Sequence, residues 1–380
     1  MRRKIVMVVE AMLGGIRQHV CDIVESLNQQ NYEIYVIYSD LRADDVFKKN
    51  KEQLMEHAKF IRCSSMQRSL GVKDFTAYKE MVKILENIRP DIVHCHSSKA
   101  GIIGRLAAKK CKVSCIIYTP NAYAFQNPDI SLIKKYIYIY AEKILSGYAT
   151  SLTINVSKGE MRLAQDYKLD KPEKFKLIYN GIRQVELKGK NQVRKTLGLD
   201  EEAFYVGVTA RCAIQKDPFT FLRIAEKVVR RSSDIEFIYI GDGVLFKEMN
   251  EWIMKRGLEQ KIHMLGFRTD AAVIVETFDI YLSTALYEGL PYSMIEAMRA
   301  GVPIIATDTV GNNELVFEGI NGKLFPVKEV DRAVDMIFEQ YETNAITSEN
   351  VKETFRKEFS INSMIDKLNE IYRGEVLENI

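Results

Sequence analysis

At 380 residues, with 47% hydrophobic and 28% charged side chains, the chain is too long for one ordinary core and implies two globular domains. No run approaches the roughly 18 unbroken apolar residues of a bilayer-spanning helix, and Glu10 interrupts the N-terminal apolar run before a signal-peptide core is complete. Six scattered cysteines without a CxxC pair disfavour a zinc site or a disulfide framework and read as small hydrophobes in a reducing cytoplasm. The net charge of +3 hides an asymmetry: residues 1–180 carry 29 basic against 19 acidic side chains, residues 181–380 carry 25 against 32. The first half is therefore expected to meet an anionic partner, whether a phosphate-bearing substrate, nucleic acid or a membrane face.

In chain order, the first half offers strands at "KIVMVV", "YEIYVIY", "FIRC", "DIVHCH", "CIIYT" and "SLTINVS", with helical spacing at 17–28, 75–88 and 99–110. The polar, aperiodic stretch 183–192 follows an Asn180-Gly181 turn and reads as a linker. The second half repeats the rhythm, with strands at "YVGVTA", "EFIYIG", "IHMLG", "IYLST", "PIIAT" and "GKLFP" and helices at 218–232, 244–255 and 292–300. Strand–helix alternation predicts two doubly wound α/β domains with mainly parallel sheets, facing each other across a cleft and binding ligands at the carboxyl ends of their strands. A capped amphipathic helix over 360–372 adds no strand and is expected to cross back to the first domain.

Several stretches fall where such sheets bind ligands. Gly14-Gly15 follows the first strand, two residues before the expected helix, as a tight turn or a phosphate loop; it lacks the GxGxxG spacing that would argue for NAD. In "TARCAIQKDP", Arg211 and Lys216 sit past a strand end, where a guanidinium fork and an ammonium suit a diphosphate, or merely a solvated loop. "IGDGVLF" gives another strand followed by a glycine turn at Gly241. In "ALYEGLPYSMIEAMRAG", Glu288 falls in the loop after a strand, Gly289, Leu290, Pro291 and Tyr292 lead into a helix whose first N–H groups favour an anion, and Glu296 lies about one turn inside it. A carboxylate repels phosphate, so Glu288 should face sugar hydroxyls; the set suits a nucleotide-sugar. Either it is that, or a capping acid with a solvated helix face.

The stretch EGLPYSMIEAM resembles the E-x7-E motif of retaining glycosyltransferases of family 4, and Gly14-Gly15, Arg211, Lys216, "GDG" and "LGF" fall at that family's landmarks across essentially the whole chain. The resemblance implies the GT-B architecture: an acceptor domain over 1–182, a nucleotide-sugar domain over 183–358, and a C-terminal helix over 359–380 packing back toward the first. By the resemblance, Arg211 and Lys216 hold the diphosphate, Glu288 meets the transferred sugar, Glu296 accepts from the ribose hydroxyls, the backbone of Phe267-Arg268 meets the base, and Gly14-Gly15 closes over the phosphates. No metal or other cofactor is implied, and the anomeric configuration is retained.

One departure is Asn121 in "YTPNAYAF", where many relatives have a histidine. An amide hydrogen-bonds a sugar hydroxyl but is no base near neutral pH, and His96, at a strand end, is a candidate substrate contact or a structural hydrogen-bonder. "SLIKKYIYIYAEKIL" (131–145) mixes Lys with Tyr and Ile; it rests on an anionic membrane or packs on the sheet as an ordinary amphipathic helix. The whole is similar to bacterial capsule and exopolysaccharide transferases. That similarity implies a UDP-sugar donor, a polyprenyl-diphosphate-linked saccharide acceptor, and a cytoplasmic enzyme peripheral at the inner face of the membrane. Competing readings are a nucleotide-sugar epimerase and a non-catalytic nucleotide-sugar-binding subunit. Nucleic-acid binding is disfavoured, because no basic helix or aromatic-studded sheet is present.

Overall fold

The computed structural model describes residues 2–67, 71, 73–126, 130–288 and 290–374. Two compact units divide it: one of residues 1–183 with 361–380, the other of residues 184–360.

In the first unit, strands and helices alternate as β1 (Arg3–Val9), α1 (Gly14–Ser26), β2 (Tyr32–Tyr38), α2 (Asp45–Leu54), β3 (Lys59–Arg62), α3 (Lys73–Ile88), β4 (Ile92–His96), α4 (Ser98–Lys110), β5 (Cys115–Thr119), α5 (Leu132–Ala149), β6 (Leu152–Asn155), α6 (Lys158–Asp166) and β7 (Phe175–Leu177). The seven strands are all parallel, in the order β3-β2-β1-β4-β5-β6-β7. A parallel sheet is covered on both faces, which is why Ile5 to Val9 form an unbroken apolar run that is wholly buried. One face packs on α1 through Val20, Ile23 and Val24, the other on α3 and α4 through Met81, Leu85, Ile103 and Ala107.

The second unit runs α7 (Lys190–Leu197), β8 (Phe204–Thr209), α8 (Pro218–Arg231), β9 (Ile235–Ile240), α9 (Phe246–Met254), β10 (Ile262–Gly266), α10 (Ala271–Ile274), β11 (Ile280–Ser283), α11 (Tyr292–Ala300), β12 (Ile304–Thr307), α12 (Asn312–Leu315), β13 (Gly322–Phe325), α13 (Val330–Thr343) and α14 (Ser348–Thr354). Its six parallel strands are ordered β10-β9-β8-β11-β12-β13. The last helix, α15 (Ile361–Tyr372), belongs to the first unit, where Met364, Ile365, Leu368 and Ile371 join the core beside α1. Its terminal Tyr372 hydroxyl lies 2.7 Å from His94 Nδ1, and Arg3 Nη1 donates to the Tyr372 carbonyl at 2.6 Å.

Three local expectations need correction. The short β7 has no β-branched run to announce it. The stretch expected to be a linker over 183–192 gives way to α7 at Lys190, a mostly polar helix that buries Arg194 instead of an apolar stripe. Helix α1 begins at Gly14 and not near Arg17; Gly14 takes φ +56°, a left-handed conformation that glycine adopts without strain, and its N–H is received by the Asp44 carboxylate at 3.3 Å.

Candidate functional site

The order of the second sheet reverses between β8 and β11, and an open parallel sheet binds ligands outside the carboxyl ends of its strands at such a point. The loops leaving these two strands, 210–217 and 284–291, are laced together there. Leu286 N–H donates to the Gln215 carbonyl at 2.8 Å, Gln215 Nε2 to the Tyr287 carbonyl at 3.0 Å, and Thr284 Oγ1 to the Lys216 carbonyl at 2.9 Å. Lys216 Nζ and Glu288 Oε1 form an ion pair across them, mostly buried on both sides.

Beside this pair opens a cavity of about 550 Å³ lined by Arg211, Lys216, Gly241, Phe267, Arg268 and Glu288. Its cations are unequally committed. Lys216 is paired with Glu288, and Arg268 forks onto Asp270 at 2.7 and 2.8 Å, which holds the Asp270 carboxyl below its usual range. Arg211 is exposed and makes no ion pair among the described residues. Gly241, at φ +146°, closes the wall: a Cβ there would stand 1.9 Å from the Ala210 carbonyl oxygen, so only glycine permits the two loops to approach.

Pro291 lines a narrow extension of about 10 Å³ with Lys216, Glu288, Tyr281 and Ser293. The N-cap of α11 is Pro291, whose side chain makes no capping hydrogen bond, so Tyr292 carries the first N–H of the helix. Leu290 is half-buried in the preceding loop, and Gly289 lies outside the described residues. Glu296 does not line the cavity. Burial raises its carboxyl pKa against the opposing effect of Arg299, and its charge, with that of Glu288, acts on the buried Tyr281 phenol. The sequence does not single out Tyr281, which donates to Ser293 Oγ at 2.8 Å, Gln215 or Thr284: they are uncharged, Gln215 beside Lys216 in its charged loop, Tyr281 inside β11 and Thr284 just past its end.

The remaining candidates lie in the first unit, whose sheet order reverses between β1 and β4. Gly14 and Gly15 follow β1, and the Asp44 carboxylate, paired with Arg17 at 3.0 Å, sits at the helix start where an anion was expected. His96, expected near substrate, is wholly buried. Its ring lies tilted against that of His94 with centres 4.1 Å apart and meets His19 edge-on at 5.4 Å, and neither of its nitrogens has a hydrogen-bond partner among the described residues. Burial lowers the pKa of His19 to about 4 and of His94 to about 3, and that of His96 well below its usual value, so the cluster is neutral. Asn121 sits half-buried at φ +50°, followed by Ala122 at φ +81°. The Ala122 N–H donates to Glu160 Oε1 at 2.5 Å, and asparagine tolerates the left-handed region better than most residues. The turn thus accounts for an asparagine at this position.

Residues 13–184 match the family model Glycosyltransferase Family 4, and residues 189–358 match Glycosyl transferases group 1. The chain is 27% identical over 313 residues, 79% of its own length and 80% of the relative's, to an Escherichia coli UDP-Gal:alpha-D-GlcNAc-diphosphoundecaprenol alpha-1,3-galactosyltransferase. It superposes on a Rickettsia africae glycosyltransferase with a TM-score of 0.80, at 20% identity and full coverage of both chains. On Anabaena HepE in complex with UDP the TM-score is 0.78, at 21% identity over 98% of this chain and 100% of the other. Those two likenesses establish a shared GT-B fold built from two Rossmann-like α/β domains. Matched over both halves and sharing that fold, the chain belongs to the family 4 and group 1 glycosyltransferases and is an enzyme of GT-B type related to those that build lipid-linked saccharides and polysaccharides.

Proposed function

We propose that this enzyme moves a hexosyl or N-acetylhexosaminyl group, with retention, from a nucleoside-diphosphate sugar, most readily a UDP-sugar, to a saccharide carried on polyprenyl diphosphate. The setting is bacterial surface-polysaccharide synthesis, in the cytoplasm at the inner face of the membrane. The observation that carries the reading is the convergence of Arg211, Lys216, Gly241 and Glu288 on one cavity at the reversal point of the second sheet. Its volume of about 550 Å³ is of the size that holds a small molecule. Support also comes from the printed name of the Escherichia coli relative, which specifies a UDP-sugar and a diphosphoundecaprenol-linked acceptor, and from HepE, crystallised with UDP.

In this reading the second domain takes the donor and the first the acceptor. As the bond between the anomeric carbon and the diphosphate oxygen breaks, charge accumulates on the leaving phosphate, and Arg211 and Lys216 stabilise it. An ammonium has three N–H donors, so Lys216 can keep Glu288 oriented toward the sugar hydroxyls while donating to a phosphate oxygen. The acceptor hydroxyl attacks the anomeric carbon from the face the phosphate leaves and passes its proton to that phosphate. Phe267-Arg268 serve the base, and the backbone of Leu290 to Tyr292 the phosphates.

Thermal stabilisation by UDP, GDP, ADP and their sugar conjugates, with and without a chelator, tests this directly. A ligand at a hundred times its dissociation constant adds about 2.7 kcal/mol to the folded state. A chelator-resistant shift with the uridine series is expected; no shift from folded protein with any nucleotide would overturn the donor assignment.

A further inference from the structure

We propose that the outward face of α5 is the surface on which this protein lies against an anionic lipid bilayer. The inference deepens the reading above, on which it rests for a lipid-borne acceptor, and it stands on how α5 is turned.

A helix packed on a sheet ordinarily buries its apolar stripe and exposes its charges. In α5 the arrangement is reversed over much of its length. Ile133, Tyr136, Ile137, Tyr140, Ile144 and Tyr148 are each 55–75% exposed, and at 3.6 residues per turn they fall within about 120° of one another. Its single acidic residue, Glu142, points inward instead. There the wholly buried Arg105 donates to it at 2.7 Å while lying 3.8 Å over the Tyr118 ring, and the Tyr118 hydroxyl donates to it at 3.1 Å. Ser146 is also turned inward and donates to Asp170 at 2.8 Å. The inward face is thus anchored by a buried charge network as well as by Ile139, Leu145 and Ala149, which fixes the helix with Ile133, Ile137, Ile144, Tyr136, Tyr140 and Tyr148 outward.

Charge selects the occupant. With Glu142 buried, the outward face of α5 carries no negative charge, while Lys134 and Lys143 stand exposed on its two shoulders without an ion pair among the described residues. Lys109, from α4, places its ammonium 5.4 Å from the centre of the Tyr148 ring. Aliphatic side chains at the centre, tyrosines whose rings are apolar and hydroxyls polar, and lysines at the margins match the graded interior, interface and headgroup layers of an anionic leaflet. The excess of 29 basic over 19 acidic residues in positions 1–180 acts in the same direction. Among the described residues no helix is long and apolar enough to cross a membrane, so contact through α5 would be peripheral.

The test is cosedimentation of the full chain with vesicles of mixed phosphatidylglycerol and phosphatidylcholine, and of phosphatidylcholine alone, at low and high salt. Preferential, salt-sensitive binding to the anionic vesicles is expected. The Ile137→Asp/Ile144→Asp double variant should lose at least tenfold in partitioning, with its melting temperature and its UDP-induced shift unchanged. Lys134→Gln and Lys143→Gln should each lose about fivefold on anionic vesicles only, and they keep the test decisive if the aspartates impair folding. Failure of the wild type to bind anionic vesicles would overturn the proposal. So would variants that bind as the wild type does, or a wild-type dimer in sedimentation equilibrium that the aspartates dissociate, since the face would then serve a second copy of the chain. The nucleotide shift is read on the same protein without lipid, so loss of vesicle binding alone defeats this inference, and loss of the shift alone defeats the donor assignment.

Discussion

Lys216 and Glu288 neutralise each other in a largely buried ion pair, so a donor diphosphate competes with a carboxylate for one ammonium. Replacing Glu288 by Gln removes the competitor and a nearby repulsive charge. UDP should then bind roughly tenfold more tightly, about 1.4 kcal/mol, while sugar transfer falls; calorimetry with UDP and a turnover assay separate the two effects. Arg211, uncommitted and exposed, should behave differently: Arg211→Ala is expected to weaken UDP binding and slow transfer together, by on the order of a hundredfold in kcat. At Asn121 the backbone decides. With φ at +50°, Asn121→Gly should leave the melting temperature nearly unchanged, whereas Asn121→Val should cost about 1–2 kcal/mol. The histidines supply a pH dependence. His19 and His94 bind a proton only near pH 4 and pH 3 when folded but near 6.5 when unfolded, so below 6.5 the unfolded chain takes up more protons. Stability is therefore full above pH 6.5 and falls as the pH drops toward 4, and replacing His94 and His96 by apolar residues of similar size should flatten that slope in a series of melting temperatures.

Among the elements, α15 makes the most specific prediction. Its apolar face completes the core beside α1, and Leu368 is almost fully buried there. Leu368→Ala should destabilise the first unit by about 2–5 kcal/mol, depending on how far the site collapses, and urea unfolding followed by hydrogen exchange would locate the loss in residues 1–183. Helix α7 shows why some elements escape a reading by pattern. Its "KNQVRKTL" offers only Val193 and Leu197 as apolar anchors, and its tertiary hold comes largely from Arg194, which is buried, ion-paired to Asp279 at 2.7 Å and set 4.7 Å over the Tyr205 ring. A periodicity built on apolar residues does not register a helix packed through a guanidinium. In contrast, the twelve longer strands were legible because buried parallel strands leave continuous β-branched runs.

For the molecule as a whole, two cores with separate sheets imply that a nucleotide protects one unit more than the other. Hydrogen exchange with UDP bound should slow chiefly at 210–216, 241–243 and 284–288, with smaller effects in the first sheet; uniform protection of both units would contradict a donor site confined to the second.

The order of twelve of the thirteen strands, the α/β class and the identity of the charged loop residues were settled by the sequence alone, because each depends on spacing within a dozen residues. Which loops become neighbours was decided by tertiary structure. Strands β8 and β11 pair although two strands intervene in the chain, and only that crossover brings Lys216 to Glu288, 72 positions away. In the same way Tyr372 reaches His94 across 278 positions, His96 disappears into a neutral histidine cluster, and α5 turns Ile133, Ile137 and Ile144 outward once Arg105 claims Glu142. Local periodicity fixes what an element is; the partners available to each buried charge and each strand edge fix which way it faces.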